Sequence, residues 1–513
     1  MSSASKIVGF DVAPEVFAAL RRQGKTIVQS HGIFDLIHPG HICHLEEARA
    51  LGDVLVVSLA ADKYVQKGPG RPYFNEQMRI RSLAALACVD YVVLAPFSGA
   101  VEAIERVRPH IYCKGKEYEN PDFDLSGSLQ AELQAVERSG GQTRYIGSVT
   151  FSSTKLLNQY FDHLNGPIKA FCADLASRIT AREFRDAVES LAGLRVLVIG
   201  DTIFDRYSYL KVQGLTSKNR IISGRFLSDE TQCGGALAVF RHVKQFTNDV
   251  RFISLVGTEP WAEPLLQQHL APDEDRVIRD EGFSTIIKQR FVEPLVRGKE
   301  MGKLFAVNFI AADPPNQATQ ARVKTRIQEE IGRADAVLVL DFGHGLMQPA
   351  IRQLVQESSR FLAVNCQTNS NNHGFNIISR QYQHADAFSL DEQELMLSAG
   401  HRHLDHQSEL EKLRRQLHAR YAWLTRGAIQ TIGLLEDSPP CLCPPLETEV
   451  VDTIGAGDAF FSVAALAAAR SIPAGLATFL GQLAGAQAVK IVGNAQPISK
   501  QTLLHGGMSL LNF

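Results

Sequence analysis

Short apolar runs, each followed by a segment with helical spacing, recur along almost the whole chain. Thr26-Ile27-Val28, Asp53–Leu59, Ala87–Leu94, His110–Lys114 and Thr143–Ile146 read as buried strands, with helical patterns between most of them. Leu194–Gly200, Arg251–Val256, Ala336–Asp341, Phe361–Asn365, Ala387–Leu390 and Ala422–Thr425 repeat the theme. A strand that is apolar throughout has to be covered on both faces, so the alternation predicts an α/β architecture with parallel sheets. At 513 residues the chain is too long for one ordinary core, which predicts at least two units. Met1–Lys25 reads as a lead-in helix and linker. Gln159–Leu194 is helical and polar without a Gly- or Ser-rich stretch, and reads as a connector. The predicted division is therefore 1–165, a connector at 166–193, and 194–513. Ser223–Phe226 and Thr285–Phe291 alternate as half-exposed strands do, and predict a small β lid in the second unit.

Composition narrows the function classes. The net charge of −2 offers no electrostatic footprint for nucleic acid or an anionic membrane. Eight scattered cysteines form no Cys-x-x-Cys pair, which argues against a zinc site or a disulfide framework and for free thiols in a reducing compartment. The first residues carry no basic-then-apolar signal pattern. The most apolar segment, Ala459–Val492, is interrupted by Arg470, Pro473 and Lys490 and predicts packed helices rather than a membrane span. A cytoplasmic location is the expectation.

In the first unit, Gly32-Ile33-Phe34-Asp35-Leu36-Ile37-His38-Pro39-Gly40-His41 stands where a strand turns into a helix. A helix start presents unsatisfied N–H groups and partial positive charge, which suit a phosphate. His38 and His41 there can donate to a phosphoryl group gaining negative charge. Lys67-Gly68-Pro69-Gly70-Arg71-Pro72 is a stiff basic loop after the second strand, either a solvent turn or a cover over an anionic substrate. Arg79 opens the next helical pattern and can hold a phosphate. Phe151-Ser152-Ser153-Thr154-Lys155 carries capping hydroxyls at another helix start. In parallel sheets ligands bind beyond the carboxyl ends of the strands, and the His38/His41 turn, Lys114-Gly115 and Gly147-Ser148 all follow strands.

Taken together, Gly32–His41, Lys67–Pro72, Lys114-Gly115-Lys116-Glu117-Tyr118 and Phe151–Leu157 resemble the cytidylyltransferase-like nucleotidyltransferase half of the bifunctional ADP-heptose synthase type, over residues 25–160. The resemblance implies a Rossmann-like domain that joins a nucleoside triphosphate, ATP or CTP, to a sugar or polyol phosphate with release of pyrophosphate. It implies that His38 and His41 stabilise the transferring α-phosphate. Phe34, Asp35, Arg79, Lys114, Ser152, Ser153 and Thr154 would hold nucleotide and phosphate, Lys67 and Arg71 would face the substrate, and Mg2+ would bridge the triphosphate. Ile33 and Lys116-Glu117 depart from the usual residues and leave sugar and base open.

In the second unit, Gly200-Asp201-Thr202-Ile203-Phe204-Asp205 places two acids after the first strand, where carboxylates can grip sugar hydroxyls. Gly234-Gly235-Ala236 lets backbone approach a ligand or another element closely. Asp452-Thr453-Ile454-Gly455-Ala456-Gly457-Asp458-Ala459-Phe460 is the sharpest signal. Consecutive N–H groups over Gly455, Ala456 and Gly457 can nest an anion, and a carboxylate at Asp458 can take a proton from an attacking hydroxyl.

These strings resemble the PfkB/ribokinase carbohydrate kinases over about residues 194–500. The resemblance implies a ribokinase-like α/β domain with a β lid, ATP as phosphoryl donor, Asp458 as catalytic base, and Asp201, Asp205, Gly234 and Gly235 around the sugar. Thr425 and Gly427 would lie by the nucleotide, and Glu394 would be associated with magnesium, with Asp391 a substitution. Leu237-Ala238-Val239 stands where the family usually has Asn, Asn365 stands where Asp is common, and Arg297–Asn308 lacks the pattern expected of a heptose-phosphate kinase. The apparatus for phosphoryl transfer is kept while the sugar pocket is rewritten, so a different sugar and a silent ligand-binding or dimerisation module both stay open. The order of the two halves is the reverse of the usual one. A homo-oligomer is expected from both resemblances.

Overall fold

The computed structural model describes residues 3–65, 71–97, 99–119, 129–147, 166–294, 302–311, 313–368, 372 and 374–512. The chain divides into two compact units, residues 1–165 with 504–513, and residues 166–503.

Among its described residues the first unit holds a six-stranded parallel sheet of β1 (Ile7–Val8), β2 (Ile27–Gly32), β3 (Val54–Ala60), β4 (Tyr91–Ala95), β5 (Ile111–Gly115) and β6 (Gln142–Ile146), in the order β1-β4-β3-β2-β5-β6. Every residue of β3 is buried. Adjacent residues feed opposite cores: Val28, Leu55 and Val57 pack with Leu45 and Ile80, whereas Ile27, Val54 and Val56 pack with Phe17 and Val107. This is the two-sided burial that the unbroken apolar runs demand. Helices α1 (Ala13–Arg22), α2 (Pro39–Arg49), α3 (Glu76–Ala84), α4 (Val101–Val107) and α5 (Leu129–Arg138) supply the covering layers. The chain runs from β2 outward through β3 to β4, then crosses to β5 on the other side of β2. That reversal opens a crevice at the carboxyl ends of β2 and β5. The lead-in differs from expectation, because Ile7 and Val8 pair with Val92 and Val93 as an edge strand. Two residues are too few to show a period-two pattern.

In the second unit β7 (Arg195–Gly200) runs straight into β8 (Thr202–Leu215) and β9 (Ile222–Gly234). Further strands are β10 (Asp249–Ile253), β11 (Leu255–Val256), β12 (Ile278–Arg279), β13 (Ile286–Val292), β14 (Lys303–Phe309), β15 (Ala336–Asp341), β16 (Leu362–Cys366), β17 (Ala387–Asp391), β18 (Tyr421–Thr425), β19 (Thr431–Leu435) and β20 (Cys441–Cys443). The main sheet runs β10-β7-β15-β16-β17-β18-β19-β20, parallel through β18 and antiparallel at β19 and β20. The lid is the separate sheet β14-β13-β8-β9. Arg251–Val256, read from sequence as one strand, is divided by Ser254 between β10 of the main sheet and β11, which pairs with β12. Ser254 is buried and donates to Gly200 O, so its hydroxyl serves the neighbouring strand at the break.

The connector segment forms helices Gly166–Ala176 and Ala181–Ser190, the second closed by a Thr180/Glu183 capping box. Phe171 and Phe184 meet Phe479 at ring-centroid distances of 6.1 and 6.2 Å, so both helices pack into the second unit. The apolar segment near the end becomes the paired helices Ala456–Ala469 and Ala474–Ala488, with Pro473 at the cap between them. Among the described residues no helix is long and apolar enough to cross a membrane.

Candidate functional site

In the first unit the site forms where β2 ends. His38 is the N-cap of α2, and its Nδ1 accepts the His41 backbone N–H at 3.3 Å. That bond fixes the neutral His38 ring with its proton on Nε2, a donor. His41 Nδ1 lies 3.1 Å from Leu36 O, which makes Nδ1 the protonated nitrogen of that ring. The two imidazoles stack at 3.9 Å, and Phe34 lies against His41 at 5.2 Å. Lys114, at the end of β5, flanks the same crevice and pairs with Glu132 at 2.5 Å.

Three other predicted ligands turn inward, Asp35, Arg79 and Arg71, the last of which is expected from sequence to face the substrate. Asp35 pairs with Arg71 at 2.9 Å with both side chains 2% exposed, and Asp35 also accepts the Phe74 N–H. Arg79 is buried and donates to Phe74 O, Ile33 O, Ala60 O and Asp62. It braces the segment after β2 against the end of β3 and directs these donors into the protein. Lys67, Ser152, Ser153 and Thr154 lie outside the described residues. A residue not singled out from sequence, His31, joins the crevice: its Nδ1 meets Ser58 Oγ at 2.9 Å. Burial, with the Lys114 charge beside it, pushes its pKa down to about 3 and keeps the ring neutral.

The second unit has a cavity of about 270 Å³ between the carboxyl ends of the main strands and the lid. Gly455 caps helix Ala456–Ala469 at φ 83°, a left-handed conformation natural to glycine, and a Cβ there would overlap Asn494. Asp458 falls in the first turn of that helix and lines the cavity with Gly455 and Gly457. Burial is the main influence on Asp458, opposed by the hydrogen bond from Gln367; the pKa is pushed up to about 6. Across the cavity Asp205 pairs with Arg290, and Lys288 stands two residues before Arg290 on β13. Lys288 Nζ lies over the Phe342 ring at 5.5 Å, and its burial lowers its pKa.

Glu394 lines the cavity, but its oxygens accept N–H groups of Thr368 and Asp391, the latter within a capping box. Burial and then Asp391 push its pKa up to about 8. Among the described residues no group of three or more His, Cys, Asp or Glu forms a metal cage. One or two carboxylates on a cavity wall nevertheless fit Mg2+, which is held chiefly by substrate phosphates and water. Thr425 lines the cavity and Gly427 follows at φ 51° in an exposed turn.

Asp201 is not a cavity residue. It is buried and accepts the backbone N–H groups of Phe342, His344 and Leu346 at 3.2 to 3.3 Å. It shapes the loop that brings Phe342 to the cavity, and burial pushes its pKa up to about 7. Gly235 touches the cavity, whereas Gly234 gives room to Asp205, whose carboxylate a Cβ there would overlap. Leu237, Ala238 and Val239 are buried in helix Gly235–Val243. Lys288, Arg290, Gln367 and Phe342 were not singled out as site residues from sequence. Lys288 and Arg290 did carry a signal, two cations at period two on a predicted lid strand.

The pfkB family of carbohydrate kinases matches residues 194–501, more than half of the chain. The chain belongs to the pfkB family. The cytidylyltransferase-like family matches residues 30–156. Among curated relatives, the bifunctional protein HldE of Syntrophotalea carbinolica is 40% identical over 153 residues, 28% of this chain and 30% of that protein. HldE of Pelobacter propionicus is 42% identical over 154 residues, 30% of each. The matched segment thus spans under a third of the length of these curated relatives. Among solved structures, a mutant of phosphofructokinase-2 from Escherichia coli aligns at TM-score 0.50 and 13% identity, covering 62% of this pfkB chain and 99% of that one. The same enzyme in complex with potassium aligns at 0.50 and 14%, covering 62% and 99%. At such identity the likeness shows the fold alone.

Proposed function

We propose that this chain is a bifunctional transferase of the ADP-heptose synthase type, joining a sugar kinase to a nucleotidyltransferase. In the kinase step an anomeric sugar hydroxyl attacks the γ-phosphorus of ATP, Asp458 takes the hydroxyl proton, and ADP leaves. In the second step an oxygen of a sugar 1-phosphate, which a separate phosphatase must supply where the kinase product is a bisphosphate, attacks the α-phosphorus of a nucleoside triphosphate, pyrophosphate leaves, and His38 and His41 stabilise the charge on the α-phosphate. The observation that carries the reading is Asp458 in the first turn of helix Ala456–Ala469, beside the glycine nest and facing a cavity with two lid cations. Mg2+, when bound, neutralises triphosphate charge, and Glu394 is the carboxylate that would hold it in the second unit. Lys288, on the cavity wall, favours a sugar that already carries a phosphate.

One observation favours a second reading. Arg290 already neutralises Asp205, the predicted sugar grip, so the kinase unit in this reading is a ligand-binding module and the first unit works alone, with CTP or ATP. The test is ADP and pyrophosphate release by the full chain with heptose 7-phosphate, heptose 1-phosphate, ATP and CTP, with Asp458→Asn and His41→Ala as blanks.

A cytoplasmic homo-oligomer completes the proposal. Phe226, Phe305, Val307 and Phe309 are exposed on the lid sheet, a concentration of apolar surface suited to a second copy.

A further inference from the structure

The cavity contains a relay of side-chain amides that ends on the proposed base. Asn365, buried at the end of β16, donates from Nδ2 to Ser389 O at 3.2 Å and Ser389 Oγ at 3.1 Å on the neighbouring β17. Those bonds orient the Asn365 amide and turn Oδ1 toward Gln367. Gln367 Nε2 then donates to Asn365 Oδ1 at 2.7 Å and to Asp458 Oδ1 at 2.9 Å. An NH2 group has two hydrogens, and this arrangement uses both. The backbone of Gln367 is held as well: its N–H donates to Asp341 O at 2.9 Å and its carbonyl accepts from Asn376 Nδ2 at 3.2 Å. Gln367 therefore has a fixed origin and a fixed amide orientation before any ligand arrives.

We propose that Gln367 is a positioning residue for the base, holding Oδ1 of Asp458 so that Oδ2 is presented to the substrate hydroxyl. The proposal rests on the reading of Asp458 as the base. A carboxylate with one oxygen pinned by an oriented donor keeps one rotamer, which a proton transfer over hydrogen-bond distance requires. The donor also favours the charged form, against burial, in a site where Asp205 from β8 adds negative charge, Lys288 from β13 adds positive charge, and Glu394 from helix Glu392–Ala399 is a further titratable neighbour whose own pKa is pushed up to about 8. An amide does this without titrating and without forming an ion pair that would lower the basicity the transfer needs. A lysine at 367 would overstabilise the carboxylate; an apolar residue would leave it unheld.

The test uses the full chain as wild type, Gln367→Leu and Gln367→Met, two apolar replacements of different shape. Circular dichroism and thermal melting establish that each is folded. The Asp458 carboxyl is titrated by carbon NMR with labelled aspartate, its signal assigned by its loss in Asp458→Asn. Kinase turnover is followed over pH with ATP and heptose 7-phosphate. The expected result is an Asp458 midpoint raised by about 1 pH unit, the scale of one hydrogen bond to a charged group. An acid limb of kcat raised by the same amount and an unchanged KM for ATP are expected with it. An unchanged midpoint in folded Gln367→Leu and Gln367→Met overturns the positioning role, whether or not heptose 7-phosphate is turned over. Full kinase turnover by Asp458→Asn overturns the base reading instead, so the two failures are distinguishable.

Discussion

Lys303 Nζ lies 2.8 Å from Asp452 Oδ1, joining lid strand β14 to the segment that leads into the glycine nest. Asp452 is fully buried and also accepts the N–H groups of Ile454 and Gly493. Removing the carboxylate strands these donors, and removing the lysine takes away its cation. Asp452→Ala is expected to destabilise the second unit by about 3 kcal/mol, the scale for leaving two N–H donors at a buried carboxylate without their acceptor. Lys303→Met, which removes the more exposed partner, is expected to cost less. Urea unfolding of the full chain, followed by the fluorescence of Trp261 and Trp423, checks the order.

Gly455 has no substitute that keeps both its backbone and its space. Its left-handed φ and the nearby Asn494 act together, so Gly455→Ala is expected to reduce kinase turnover at least about tenfold while pyrophosphate release from heptose 1-phosphate is unchanged. Loss of both activities would point to unfolding instead of a damaged anion nest.

The kinase should also depend on pH with a definite sign. A base works when deprotonated, and the Asp458 carboxyl is pushed up to about 6. Kinase kcat/KM for the sugar is therefore expected to be full above about pH 7 and to fall about tenfold per pH unit below about pH 6. The measurement is a pH–rate profile with ATP saturating. A flat profile from about pH 5 to 8 would be inconsistent with Asp458 as the base.

Lys288 supplies positive charge next to Asp458 without belonging to the nest. Lys288→Met is expected to raise KM for heptose 7-phosphate by about 10- to 100-fold, the loss of one charged contact, with little change in KM for ATP. Steady-state kinetics with each substrate varied in turn separates the two.

Much of this was legible in the sequence. Apolar runs such as Asp53–Leu59, found as β3 over Val54–Ala60, declared strands covered on both sides, and the motif around Gly455 marked where the helix carrying Asp458 begins. Alternation in Thr285–Phe291 announced a lid strand. What stayed hidden was partner choice. Nothing local in the sequence says that Asp35 pairs with Arg71, that Arg79 donates to three backbone carbonyls, or that Asp201 organises the 342–346 loop. Those carboxylates and guanidinium groups look like ligands in one dimension and prove to be braces in three. Gln367 was hidden for the converse reason: an uncharged side chain in a loop gives no signal until the fold brings it 2.9 Å from Asp458.

The most direct measurement is paired product release by the purified full chain. With ATP and heptose 7-phosphate, followed by heptose 1-phosphate and ATP or CTP, ADP and pyrophosphate are quantified separately for wild type, Asp458→Asn and His41→Ala. The account predicts both products from wild type, loss of ADP release alone in Asp458→Asn, and a fall of about 100-fold or more in pyrophosphate release alone in His41→Ala. ADP release that survives Asp458→Asn, or pyrophosphate release that survives His41→Ala, would contradict it.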